Sequence, residues 1–229
     1  MLDCVPHSPK QFLLFESLSA KVEKCLCASG RERHYARGEV ICLQDEPAKS
    51  LKVVISGWVK LYRVTENGGE AILAALEHGH SFDEVDALLG GDSKLSAEAM
   101  TDCTILHLDL NAIGLCKDAH SEISSAVLTA ANSKISELIT QLESLKVKTA
   151  LQRLCEYLLN SITCNSEQVA LELPYGKNVL AGHLGMQPES LSRAFKRLKS
   201  LGIESCGRNV RIGDVPALRC FAEQKSGCA

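Results

Sequence analysis

Between Lys177 and Leu201 the chain reads KNVLAGHLGMQPESLSRAFKRLKSL, and this stretch carries the clearest chemistry. Glu189, Ser192 and Arg193 are three and four residues apart, so on a helix they share one face. In a major groove such a face reads bases. Arginine bridges guanine N7 and O6, glutamate accepts from cytosine N4, and serine serves base or phosphate. Lys196, Arg197 and Lys199 suit phosphate oxygens, which add affinity without sequence information. Downstream, Arg208 sits in Cys206-Gly207-Arg208-Asn209, between the short apolar runs Ile203 to Ser205 and Val210 to Ile212. That places a further phosphate contact at a hairpin tip.

The elements that must position these residues are legible around them. Asn178 to Leu184 is a short helix, Gly185 supplies a tight turn, and Pro188 suits the first turn of the next helix, where its missing N–H costs nothing. That helix runs to about Leu201, turns Leu191, Phe195 and Leu198 inward, and ends at Gly202. Helix, turn, helix and hairpin in this order make a winged helix-turn-helix. Before it come a helix over Ala150 to Ser161, with Leu151, Leu154, Tyr157 and Leu158 on one face, and a short edge strand ending at Pro174.

Upstream the texture differs. Ser121 to Leu145 contains no Gly or Pro, and Leu128, Ala131, Ile135, Leu138, Leu142 and Leu145 recur at spacings of three and four. This is an a/d seam, and over about 37 Å of helix it predicts a homodimer interface. Lys134, Glu137, Gln141 and Glu143 form its solvated face, and Lys146-Val147-Lys148-Thr149 is the expected hinge. Further upstream, Val40 to Leu43, Leu51 to Ile55, Val59 to Val64, Ala71 to Leu76 and Thr104 to Leu108 read as strands separated by turn signals. Asn67-Gly68 predicts a type I′ hairpin turn. Gln11 to Ala28 reads as a leading helix on Leu14, Leu18, Val22 and Leu26. The expected fold is α+β: an all-β roll or barrel over 1–114, a dimerisation helix and hinge over 115–146, and the winged helix-turn-helix over 147–229.

Composition supports that division. The net charge of −3 averages two unlike parts. Residues 1–145 hold 13 Lys and Arg against 21 Asp and Glu, and residues 146–229 hold 12 against 7. The basic part is the expected nucleic-acid module. Apolar runs are too short for a membrane span, and the first ten residues have no secretory pattern, so a cytoplasmic protein with no membrane partner is expected. The 11 cysteines are then expected as reduced, mostly buried thiols.

Taken together, Arg37-Gly38-Glu39, Gln44-Asp45-Glu46-Pro47-Ala48, Ile55-Ser56-Gly57-Trp58-Val59-Lys60-Leu61-Tyr62-Arg63 and Val179 through Arg193 resemble the cyclic-AMP receptor and fumarate–nitrate regulator (Crp/Fnr) superfamily of bacterial transcription factors over nearly the whole chain. The chain departs from the family at Asp45, where relatives usually carry glycine. The resemblance implies that the roll is a sensor β-roll built as a double-stranded β-helix. It also implies a non-enzymatic homodimer that binds a palindromic operator on double-stranded DNA and works with RNA polymerase. The E-x-x-S-R face resembles the fumarate–nitrate branch, which implies a TTGAT-N4-ATCAA palindrome. The run AGHLGMQPE looks most like denitrification regulators responding to nitric oxide, which implies haem as cofactor.

The signal is the open question at this level. Family members that bind cyclic nucleotides use a Gly-Glu pair and an Arg-Ser pair. Here Asp83 replaces the glycine before Glu84, the Arg-Ser pair is missing near Ser93-Lys94, and Asp83, Glu84 and Asp86 repel a phosphate. Cyclic AMP is therefore not expected. An iron–sulfur cluster needs grouped thiolates. Cys4 stands 21 residues before Cys25, and Cys25 and Cys27 point apart on a helix, so a cluster is not expected either, even with Cys103 in the roll. For haem, His7, His34, His78, His80, His107, His120 and the cysteines are all available and no spacing selects one as metal ligand, while His183, in the DNA module, reads as a structural residue. A thiol switch at Cys25, Cys27 or Cys42 is a further alternative. A cupin-like enzyme or binding roll is the competing class. It needs His and Glu clustered on facing strands, and His34, His78, His80 and His107 are scattered.

Overall fold

A computed structural model describes residues 13–110, 117–162 and 168–223. It divides the chain into two units, Met1–Glu137 and Leu138–Ala229. The first begins with a short 3-10 turn, Leu13–Phe15, and helix α1 (Ala20–Ser29). The expected helix thus starts later than Gln11, and residues 11 and 12 lie outside the described residues. A turn over 16–18 interrupts the run. Ser19 then begins the helix, its N–H donating 2.8 Å to the Glu122 carboxylate. Leu14, Val22 and Leu26 are buried.

Eight strands follow: β1 (Arg31–Tyr35), β2 (Val40–Cys42), β3 (Leu51–Ser56), β4 (Val59–Val64), β5 (Glu70–Leu76), β6 (Ser81–Phe82), then after helix α2 (Glu84–Leu89) β7 (Ser96–Ala99) and β8 (Cys103–Leu108). They form two antiparallel four-stranded sheets, ordered β1-β8-β3-β6 and β2-β7-β4-β5, the arrangement of a jelly roll. Strand β3 reads as an unbroken apolar run because both of its faces are covered. Leu51, Val53 and Ile55 pack with Leu26, Leu106, Ile123 and Val127, while Val54 faces Val59, Leu61, Phe82 and Ile105 inside the roll. Strands β1, β6 and β7 carry too few apolar side chains to be read from pattern, and helix α2 is too short for a period to show.

Two turns repay inspection. At Asn67-Gly68 only Gly68 has positive φ (74°), and Thr65 N donates 2.8 Å to the Gly69 carbonyl. This corrects the type I′ expectation to a longer loop, closed also by the Thr65 hydroxyl, which donates 3.0 Å to the same carbonyl. Asp45 lies at φ 64°, the left-handed region in which glycine is cheapest and aspartate is among the tolerated residues.

Helix α3 (Lys117–Val147) is longer than the apolar pattern indicated. The sensor boundary at 114 falls in residues 111–116, outside the described residues. In the second unit, α4 (Ala150–Asn160) is followed by β9 (Val169–Glu172), α5 (Lys177–His183), α6 (Pro188–Leu198), β10 (Ile203–Cys206), β11 (Asn209–Ile212) and α7 (Val215–Glu223). The three strands form one antiparallel sheet ordered β10-β11-β9, with β9 at the edge as its closing proline requires. The expected hinge is a short, capped break. Thr149 caps α4 with a reciprocal box, its Oγ1 accepting from Gln152 N and its own N donating to Gln152 Oε1.

Candidate nucleic-acid interface

Helix α6 owes its orientation to four buried side chains, Leu191, Ala194, Phe195 and Leu198. They occupy one stripe, so Glu189, Ser192, Arg193, Lys196 and Arg197 all fall on the exposed remainder. Pro188 opens the helix and Glu189 stands in its first turn, where a carboxylate suits the helix dipole. Gly185 turns the chain at φ 60°. Lys199 lies beyond α6 in a 3-10 turn, Lys199–Leu201, and is also exposed. Gly202, at φ 73°, closes that turn.

Strands β10 and β11 form the wing, with Cys206 paired opposite Asn209. Arg208 stands exposed at its tip and is ion-paired to Glu172 of β9. The phosphate contact expected there therefore starts from a side chain with an acidic partner. Lys177, at the start of α5, bridges to the same hairpin. Its Nζ donates to Ser205 Oγ at 3.0 Å and lies 4.9 Å from the Phe195 ring centroid. A lysine at a helix start gives no sequence signal for such a bridge. His183 packs 5.8 Å from Tyr157 and 6.3 Å from Tyr175, centroid to centroid, and burial lowers its pKa. It is a half-buried structural residue of this unit.

On α3, Leu128, Ile135, Leu138, Leu142 and Leu145 are 45–68 % exposed, Ala131 is half-buried, and Ile139 widens the stripe. The solvated flank includes Lys134 and Glu137, 3.7 Å apart. The earlier part of the helix is different: Ala119, Ile123, Ala126 and Val127 are buried against the roll. Among the described residues, the seam side chains stay largely exposed along one helix, and Leu145 packs on Gly185.

Inside the roll the polar groups are tied to one another. Lys52 Nζ lies 2.6 Å from Asp83 Oδ2, with both side chains buried, and Ser93 Oγ donates to the same oxygen at 2.8 Å. Asp83 sits at φ 61°, a conformation better suited to the glycine that cyclic-nucleotide binders carry there. Lys94, the cation nearest the missing Arg-Ser pair, is 3.1 Å from Asp86. Cys42 lies beside Asp83, and burial, the largest cause, pushes its thiol up to about 12, so it is no thiolate nucleophile.

The described histidines do not fit an axial haem ligand. His34, His78 and His120 are exposed, and His78 Nδ1 donates to the Ile55 carbonyl. His80 lies in a turn against the Glu77 carbonyl. His107 has both ring nitrogens engaged, with Tyr35 Oη at 2.9 Å and Ser50 Oγ at 3.1 Å. The cleft beside it, about 860 Å³, is lined by the charged Arg31, Arg33, Lys49, Lys52 and Asp109 together with the apolar Ala28, Ile41 and Pro47. His7 and Cys4 lie outside the described residues. Among the described residues no group of three or more His, Cys, Asp or Glu could hold a metal ion, and no helix is long and apolar enough to cross a membrane. Cys103 is buried, its thiol 3.1 Å from the Trp58 carbonyl.

Comparison with known proteins agrees with this architecture. A cyclic nucleotide-binding domain model matches residues 32–114, and a Crp-like helix-turn-helix domain model matches residues 152–221. The crystal structure of a candidate cyclic nucleotide binding protein from Ruegeria pomeroyi DSS-3 is 38% identical and superposes with a TM-score of 0.67, covering 95% of this chain and 96% of that one. A candidate transcriptional regulator, flp of Lacticaseibacillus casei, is 29% identical over 91% of this chain and 95% of its own. The nitrogen fixation regulation protein FixK of Azorhizobium caulinodans is 26% identical over 88% and 83%. With a roll, a long helix and a basic reading helix held in this order, the chain belongs to the Crp/Fnr family of DNA-binding transcriptional regulators.

Proposed function

We propose that the protein acts as a homodimer reading a TTGAT-N4-ATCAA-like palindrome. Glu189, Ser192 and Arg193 touch base edges, and Lys196, Arg197, Lys199 and Arg208 touch phosphates. The observation that carries this reading is the pairing of two unsatisfied faces on one chain: the polar outer face of α6 and the apolar seam of α3. A two-fold pairing along the seam presents two reading helices, which half-sites one helical turn apart, about 34 Å, accept together. The sensor roll over 1–114, the dimerisation helix over 115–146 and the reader over 147–229 then divide the labour.

The roll takes an effector, and the effector's differential affinity for two arrangements of the dimer sets how far the population moves toward the DNA-competent one. A cyclic nucleotide does not suit the roll, because the stretch that corresponds to the family's phosphate-binding pair carries Asp83, Glu84 and Asp86, which repel a phosphate, and Lys94 is already paired with Asp86. A diatomic gas sensed through haem, which the family resemblance implies, gains nothing from the described histidines. An absorption spectrum of anaerobically purified protein decides that branch: a Soret band that moves with nitric oxide establishes it, and its absence after haem addition removes it. RNA polymerase is the further partner of the DNA-bound state.

The dimer and operator are tested together. Sedimentation of the purified protein gives the oligomeric state, and fluorescence anisotropy compares the palindrome with a scrambled duplex of equal length. A dimer that prefers the palindrome is expected, whereas a monomer, or equal affinity for both duplexes, overturns the reading.

A further inference from the structure

One guanidinium ties the end of the seam helix to the turn of the helix-turn-helix. Arg153, in the first turns of α4, donates from Nε to the Leu184 carbonyl at 2.9 Å, from Nη1 to the Lys148 carbonyl at 2.8 Å, and from Nη2 to the Gly185 carbonyl at 3.4 Å. All three acceptors close helices. Lys148 follows α3, and Leu184 and Gly185 follow α5. Helix ends leave such carbonyls without intrahelical partners, and a planar fork of fixed donors can hold several at once. Lys148 makes the same corner tighter, its Nζ 2.7 Å from Glu156. From the other side Leu145 presses on Gly185, where an added Cβ would lie 2.4 Å from Leu145 Cδ2. Leu145 is also the last seam residue, so the dimer face, the α3–α4 corner and the reading turn meet within one unit.

We propose that Arg153 is a positioning residue that fixes the direction of α6 relative to the end of α3 and thereby sets which half-site spacing the dimer accepts. The proposal rests on the homodimer and palindrome reading above. Pro188 begins α6 three residues after Gly185, so whatever holds the Gly185 carbonyl holds the start of the reading helix. Arg153 touches no base or phosphate in this role and acts only through the turn. Lysine in its place offers one point charge in place of a fork and cannot span three carbonyls. Each base pair added between half-sites rotates the second by about 35° and moves it along the axis, so a rigid corner discriminates spacers and a loose one does not.

The test measures affinity by anisotropy for TTGAT-Nn-ATCAA duplexes with spacers of three, four and five base pairs, and for a four-spacer duplex with scrambled half-sites. The full-length protein and its Arg153→Lys and Arg153→Gln variants are compared. The unaltered protein is expected to prefer the four-spacer by about tenfold, because simultaneous engagement fails when geometry forbids it. The variants are expected to bind all three spacers within about threefold while still rejecting scrambled half-sites as strongly as before. Gly185→Ala, which strains the turn at φ 60° and displaces Leu145 from the opposite side, should relax spacing in the same sense. Variants that keep the four-spacer preference overturn the proposal. So do variants that lose spacer and base discrimination together with a lower Tm, since that is the signature of a merely structural residue. If the unaltered protein recognises TTGAT but ignores spacer length, the Arg153 role alone falls. If it fails on TTGAT itself, the operator reading falls first and this one with it.

Discussion

The outer face of α6 and the interior of the roll are both rich in charge, and they handle it in opposite ways. On α6, Glu189, Arg193, Lys196 and Arg197 are exposed and make no ion pair among the described residues. In the roll, Lys52 is locked to Asp83, and Lys60 sits 2.6 Å from Glu70 and 3.1 Å from Glu98. A charge in water costs little to leave unpaired, whereas a buried one must bring its partner. Unspent polar capacity therefore suits the surface proposed to meet DNA, and spent capacity marks architecture. The seam of α3 is the apolar version of the same rule: among the described residues its side chains are left largely exposed, as a surface proposed to meet a second copy would be.

The largest expected effect breaks that third surface. Ile135→Asp combined with Leu142→Asp puts two carboxylates into the seam. Sedimentation should show a monomer, and affinity for the palindrome should fall by about a hundredfold or more, because linked half-site binding is lost. A variant that stays dimeric would show that the seam is covered by something other than a second copy.

Next in size is a break in the roll. Lys52→Met leaves Asp83 buried and uncompensated, which should cost about 3–5 kcal/mol of stability, read by urea unfolding. Removing both charges with Lys52→Met and Asp83→Gly should restore most of the loss, since glycine also relieves the residue at φ 61°. The same variant reports on His107, opposite Lys52 in the β3–β8 ladder. Its pKa is lowered to about 4, first by burial and then by Lys52 and Arg33. Loss of Lys52 should raise it, visible in the NMR titration of the ring protons. In the unaltered protein the unfolded chain binds this proton more readily than the folded one. Stability from His107 is therefore held above about pH 6.5 and lost as the pH falls toward 4.

The reader comes third. Arg193→Ala should cost about 1–3 kcal/mol on the palindrome and little on scrambled DNA, so the specificity ratio collapses while Tm holds. Equal losses on both duplexes would move Arg193 from base reading to phosphate contact.

How much of this was legible follows from the same contrast. Strand Val59–Val64 was read to the residue, and α6 with its proline start and inward Leu191, Phe195 and Leu198 was read from periodicity. These elements have one buried face or a clear apolar run, and turn residues bound them. Strand β1, with Arg31, Glu32, Arg33 and His34 all exposed, carries no such pattern and is held by its ladder to β8. Likewise β7 is built of Ser and Ala around Glu98. Helix α2 is six residues long, too short for a period to show. The seam was legible, but not that α3 extends back to bury Ala119 and Ile123 against the roll. Arg153 was invisible for a different reason. Its three acceptors are backbone carbonyls, which every residue carries, so no side-chain pattern announces them.

The smallest expected effect sharpens the comparison most, because it separates two kinds of exposed charge on nearly the same surface. Lys199 lies one residue past α6, in the 3-10 turn, and its side chain carries one point charge suited to a phosphate. Lys199→Ala should weaken specific and scrambled DNA by the same few-fold factor. It should also flatten the slope of log affinity against log salt by about one unit, as loss of one phosphate contact requires. Arg193→Ala should leave that slope nearly unchanged while removing discrimination. If Lys199→Ala lowers specificity and leaves the slope alone, then the 3-10 turn reaches into the groove, and the division of the reading surface into base-reading helix and phosphate-holding flank is wrong at this residue.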